Sequence, residues 1–132
     1  MTKNPTPLIL YAEDNRILLH IVRDVLELAG WRVKHCESGS YAVAHLRHTE
    51  HFDLAIIDRE LPGVDGLEVI RDARRQAHRK QTPIILLALK DCAAEARQAG
   101  ADEFLRKPRD LLALVKTVRR LLAAHSGEQA FP

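Results

Sequence analysis

The chain has 132 residues, 46% of them hydrophobic and 29% charged, with a formal net charge of +2. One domain is expected at about 100–200 residues per domain, and this composition excludes a disordered chain. A balance so close to neutral gives no global field for nucleic acid. No apolar run approaches the ~20 residues that a membrane span needs, and no charged lead followed by an apolar stretch marks a secretion signal. Cys36 and Cys92 stand far apart in no metal-binding spacing, which fits reduced thiols in a cytoplasmic protein.

Taken in order, residues 1–7 form a polar lead expected to be flexible. Leu8 to Ala12 is a short apolar run, the mark of a buried strand. It stops at the adjacent carboxylates Glu13 and Asp14. Asn15 is placed to cap a helix, since its side chain accepts from the orphan N–H groups of a first turn. From Ile17 to Ala29 the residues Leu18, Ile21, Val22, Val25 and Leu28 recur at helical spacing, and Gly30 is a natural stop. Trp31 to Cys36 reads as a second strand nearer a sheet edge. Ser38-Gly39-Ser40 opens a short helix through Leu46.

Leu54-Ala55-Ile56-Ile57 is the third strand and ends at Asp58. Leu61-Pro62-Gly63 and Asp65-Gly66 then enforce a loop. Gly66 to about Ala77 is helical and runs into a basic stretch, Arg71, Arg74, Arg75, His78, Arg79 and Lys80, expected to be a solvated face. Pro83 to Leu89 gives a fourth strand. Asp91 to Gln98 forms a short helix closed by Gly100, Phe104-Leu105 a brief fifth strand, and Leu111 to Leu122 a final amphipathic helix. The polar tail from residue 125 is expected to be flexible. Five strand–helix alternations predict an α/β fold with a parallel sheet and right-handed crossovers.

In a parallel sheet every strand presents its carboxyl end along one edge, where ligands bind. Glu13 and Asp14 end the first strand, Asp58 the third, and Lys107 follows the fifth. If the first and third strands are neighbours, three carboxylates converge and raise one another's pKa. A hard divalent cation relieves this, and oxygen ligands suit Mg²⁺. A carboxylate nucleophile beside Mg²⁺ and a lysine is equipment for accepting a phosphoryl group.

These residues carry a resemblance. Ala12-Glu13-Asp14-Asn15, Asp58 with Leu61-Pro62-Gly63 and Asp65-Gly66, the run Ala99-Gly100-Ala101-Asp102, and Lys107-Pro108 together resemble a response-regulator receiver domain of two-component signalling, over about Leu8 to Leu122. The resemblance implies a flavodoxin-like (βα)5 doubly wound sheet in the order 2-1-3-4-5, as a single domain with its core at about 8–124. It implies Asp58 as phosphoacceptor, Asp14 as a direct Mg²⁺ ligand, Glu13 acting through water, the main-chain carbonyl of Glu60 on the metal, and Lys107 on the phosphoryl group. Phe104 matches the family's aromatic switch position. The partners implied are a histidine kinase or histidine phosphotransfer protein and a downstream protein. Nothing in the chain suggests a direct nucleic-acid contact, a membrane contact, or turnover of a separate substrate.

Some positions depart from the family pattern. Ala88 stands where the family has Ser or Thr, so one charge-assisted hydrogen bond to the phosphoryl group is missing. Leu89 follows where a small residue is usual, which would restrict access to Asp58. The segment from Ala88 to Lys107 is a few residues short, and Arg59 and Arg109 replace apolar neighbours. Two readings follow: a phosphoacceptor with an atypical switch, or a phosphorylation-independent pseudo-receiver that signals by contact. Leu112, off the main stripe of the last helix, suggests a homodimer through helix 4, strand 5 and helix 5. An aspartate-type phosphatase would want a cap domain, and a flavin phosphate would be repelled by Glu13 and Asp14. His45, His48 and His51 lack a carboxylate or Cys to complete a zinc-like set.

Overall fold

The computed structural model describes residues 5–125. Five strands alternate with five α-helices: β1 (Leu8–Ala12), α1 (Arg16–Leu28), β2 (Arg32–Cys36), α2 (Gly39–Arg47), β3 (Leu54–Asp58), α3 (Gly66–Arg75), β4 (Ile84–Ala88), α4 (Ala93–Ala99), β5 (Glu103–Arg106) and α5 (Leu114–Ala124). The strands form one parallel sheet in the order β2-β1-β3-β4-β5. This is the flavodoxin-like arrangement expected from the sequence. The central strands β3 and β4 are buried at every position, which is why they read as continuous apolar runs rather than alternating ones.

The sheet divides the core into two layers. On one side Ile9, Tyr11, Ile56, Leu87 and Leu105 meet Leu19, Val22 and Leu26 of α1 and Leu114, Val118 and Leu121 of α5. On the other, Leu10, Ile57 and Leu86 meet Leu46 of α2, Ile70 of α3 and Ala96 of α4. Burying side chains of this size contributes roughly 1.5–3 kcal/mol each.

Helix ends follow local chemistry. Asn15 accepts from the Leu18 N–H, Ser38 from the Tyr41 N–H and Asp65 from the Glu68 N–H, each satisfying a donor the helix leaves unpaired. Helix α4 ends at Gly100, whose φ of 114° lies in the left-handed region that favours glycine.

Three expectations need correction, and one lies largely outside the described residues. In α1 the packed face is Leu19, Val22 and Leu26; Ile21, Val25 and Leu28 point outward, with Leu28 87% exposed. The helix is apolar on more than one side, and periodicity alone does not say which side the sheet takes. The basic stretch after α3 is not simply a solvated face. Arg79 is 2% exposed, stacks over the Phe52 ring, and donates to the carbonyls of Leu46 and His48, which end α2. Arg74 donates to the carbonyls of Arg79, Thr82 and Gly100 and pairs with Asp102 at 3.0 Å. Both guanidiniums close loop carbonyls that the sheet and helices leave open. The expected final helix is split: Arg109–Ala113 is a 3₁₀ turn, and Leu112 lies there, 97% exposed, ahead of α5. The tail beginning at His125 lies outside the described residues except for His125 itself, as do residues 1–4 of the lead.

Candidate phosphoacceptor site

The site is a continuation of one row of side chains on each strand. Successive strand residues point to opposite faces, so the period is two. On the layer facing α1 and α5, Tyr11 of β1 is followed two residues on by Glu13, Ile56 of β3 by Asp58, Leu87 of β4 by Leu89, and Leu105 of β5 by Lys107. Where the apolar rows run out at the carboxyl edge, their next members meet. They line a cleft of about 370 Å³ together with Asp14, Asn15, Leu18, Glu60, Pro108 and Leu111.

The geometry is compact. Lys107 Nζ lies 3.1 Å from Asp58 Oδ1 and 3.4 Å from Glu13 Oε1. Glu13, Asp58 and Lys107 are all buried, whereas Asp14 and Glu60 are exposed at the rim. The Glu60 N–H donates to Asp58 Oδ1 at 3.3 Å. The loop after β3 is held close by Gly66, where a Cβ would run into the Asp58 carbonyl.

Electrostatics follow from this crowding. Burial first, then the Glu13 carboxylate, push the Asp58 carboxyl up to about 7, against the pull of Lys107. Burial and Asp58 likewise raise Glu60. Burial opposes the charge on Lys107, but Asp58 and Glu13 outweigh it and hold the ammonium pKa above its ordinary value. Burial and the same carboxylates keep the Tyr11 phenol far above its usual range, so it remains a donor. One ammonium thus faces more negative charge than it neutralises.

Glu13, Asp14 and Asp58 each offer an oxygen, all within 4.8 Å of one another. A carboxylate-only donor set with excess negative charge fits a hard divalent cation that prefers oxygen ligands. Among the described residues no histidine or cysteine group reaches that proximity, so His45, His48 and His51 do not form a metal set.

Ala88 and Phe104 lie on the other face of the sheet. Ala88 is fully buried in the layer facing α2, α3 and α4, and Phe104 packs partly buried against that layer. Leu89 borders the cleft, and its carbonyl accepts from Arg106 Nε at 3.2 Å. The sequence pointed to the carboxylates and the lysine. It did not single out Tyr11, whose hydroxyl donates to Glu13 Oε1 at 3.2 Å. The available signal was its place on β1, two residues before Glu13, where the strand's alternation puts both on one side of the sheet.

The order of the sheet and the acid–lysine edge define a class of signalling domain. The family profile described as the response regulator receiver domain matches residues 9–119, and the chain belongs to that family. The transcriptional regulatory protein TctD of Salmonella typhimurium is 38% identical over 91% of this chain and 54% of its own length. The polar-differentiation response regulator DivK of Brucella ovis is 29% identical over 92% of this chain and 98% of its own. Among solved structures, the receiver domain of a Pseudomonas aeruginosa sensor histidine kinase, with a magnesium ion coordinated in its active-site cleft, superposes with a TM-score of 0.81. It shares 27% identity over 90% of this chain and 99% of that one. The chain spans about half the length of the first curated relatives it matches.

Proposed function

We propose that the domain accepts a phosphoryl group on Asp58 from a histidine kinase or a histidine phosphotransfer protein, in the cytoplasm, and passes the signal to a downstream protein. The observation that carries this is the placement of buried Asp58 3.1 Å from Lys107, with Glu13 and Asp14 oxygens within metal-sharing distance and a cleft opening onto them. In the reaction an Asp58 carboxylate oxygen attacks phosphorus while the bond from phosphorus to the donor's imidazole nitrogen breaks. An acyl phosphate forms and the imidazole leaves. Lys107 offsets charge on the transferring oxygens. Asp14, Asp58 and the Glu60 carbonyl would hold Mg²⁺ directly and Glu13 through water. The ion would supply the remaining positive charge. The domain is used stoichiometrically, as a carrier of its own modification rather than a turnover enzyme.

Two features supply the finer reading. The exposed apolar residues Ile17, Ile21, Val25 and Leu28 form a stripe along α1, whose Leu18 lines the cleft. A phosphodonor seated on that stripe would have its histidine near Asp58. At the other face, Ala88 offers no hydroxyl to draw the loop after β4 inward, so coupling between Asp58 and Phe104 is weakened. A charge-assisted bond of that kind is worth about 1.5–3 kcal/mol. The homodimer through α4, β5 and α5 belongs to the same reading, with Leu112 at its margin.

Labelling of the domain by acetyl phosphate with Mg²⁺, with Asp58→Asn as control, tests the reading. Label that requires both Asp58 and Mg²⁺ is expected. A folded, Mg²⁺-binding domain that takes no label would replace it with the pseudo-receiver, in which Leu89 bordering the cleft and the missing hydroxyl at Ala88 have silenced transfer. Monomer alone in sedimentation, with and without a phosphate mimic, would remove the homodimer.

A further inference from the structure

We infer that Tyr11 is a positioning residue of this site, fixing the Glu13 carboxylate so that one of its oxygens stays available to a cation or its bound water. The inference rests on the proposed reading of the acidic edge as a Mg²⁺ site.

Tyr11 is fully buried among Leu19, Leu26, Ile56 and Leu87, so its ring is immobilised by packing on the α1 and α5 layer. It shares a strand face with Glu13, and its hydroxyl reaches forward to Glu13 Oε1 at 3.2 Å. Lys107 Nζ approaches the same oxygen at 3.4 Å. The Asn15 N–H donates to the other oxygen, Oε2, at 3.2 Å. A carboxylate oxygen accepts through two lone pairs. Tyr11 and Lys107 therefore fill Oε1, while Oε2 keeps one position open.

Glutamate is longer than aspartate by one rotatable bond, and a buried glutamate at a shared site must be held in one rotamer to act as a dependable ligand. Of its three donors, Lys107 is also drawn to Asp58, and the Asn15 N–H belongs to the loop entering α1. Tyr11 is the one donor carried on a packed strand. The common role of a buried tyrosine hydroxyl is only to find any acceptor. Here the acceptor is a candidate ligand, and groups that orient a ligand change metal affinity when removed.

The test is Mg²⁺ affinity by calorimetry in a cycle of Tyr11→Phe and Glu13→Ala. Phenylalanine keeps the ring and its packing. The expected result is a loss of affinity of about 10-fold on Tyr11→Phe in the wild-type background, the low end of what removing a ligand-orienting group costs, and no further loss in the Glu13→Ala background. Equal losses in both backgrounds would mean the hydroxyl acts generally on the fold, and no loss in the wild-type background would mean it does not orient Glu13; either overturns the inference alone. A wild-type domain that binds no Mg²⁺ at millimolar concentration overturns the reading of the site together with it. A second readout needs no metal: the ¹³Cδ resonance of Glu13 should shift and broaden in metal-free Tyr11→Phe as the carboxylate samples other rotamers. An unchanged resonance overturns the positioning role even if affinity moves.

Discussion

Two of the places where the described residues bury charge are handled in opposite ways. At the end of α2, Arg79 sits under the loop with its guanidinium spent on main-chain carbonyls and its face on Phe52. At the carboxyl edge of the sheet, Glu13 and Asp58 are as deeply buried, yet share one lysine. A buried charge whose partners satisfy it holds the fold together. A buried cluster left with excess charge is destabilising until something binds. The first arrangement is structural, and the second has the excess of carboxylate oxygen that the proposed metal site calls for.

Replacing Arg79 by Ala should be the most damaging change, costing about 3 kcal/mol because several carbonyls lose their donor and the Phe52 ring loses its cover. Denaturant unfolding measures it. Mg²⁺ affinity should not move, since nothing in the acidic cluster touches Arg79. A drop in both would mean the two regions are coupled and the contrast between them false.

Asp58→Asn should act in the other direction. The folded Asp58 pKa is raised to about 7, above its unfolded value. Such a group contributes stability that is fully present below the unfolded pKa and is lost as pH rises through the folded one. In the metal-free domain the Asp58 contribution should therefore decline between about pH 4 and pH 7. The amide removes that loss, so the variant should be more stable than wild type above pH 7, by up to about 4 kcal/mol, with the gain absent near pH 4. Melting curves at both pH values decide it. A variant no more stable at pH 8 would show that Lys107 already neutralises the cluster.

A third buried charge tests the rule on a smaller scale. Asp72 is 4% exposed, and Arg47 binds it through Nε at 3.0 Å and a second guanidinium nitrogen at 2.7 Å, holding its carboxyl below the usual range. Arg47→Ala should cost about 1–2 kcal/mol rather than more, because Arg75 remains 3.4 Å away. Its depressed pKa gives stability present above the unfolded value and lost as pH falls, so the penalty should shrink in acid. Last, Leu112→Ser should change unfolding by less than about 0.5 kcal/mol, as expected for a residue 97% exposed.

Much of this was legible along the chain. The strands of β3 and β4 announce themselves as unbroken apolar runs, and the carboxylates stand where those runs stop. Asp58, Glu13, Asp14 and Lys107 could be picked out because a parallel sheet must bring strand ends to one edge. Harder to read were the residues whose role depends on a partner far away in sequence. Arg79 looked like one more basic residue in a surface run until α2 placed its open carbonyls above it. Tyr11 looked like core, and is core, with a hydroxyl that reaches the site.

By itself, the sequence determined which segments are strands and helices and which charged groups end them, because hydrophobic period and turn chemistry are local. Only the tertiary structure decided which face of α1 packs, since Leu19, Val22 and Leu26 win over Ile21, Val25 and Leu28 by fitting the sheet. It also decided which charges are neutralised and which are not. That depends on the distances between Lys107, Asp58 and Glu13 across three strands, and electrostatic energy in a buried site is set by separation and desolvation, neither of which is written in the order of residues.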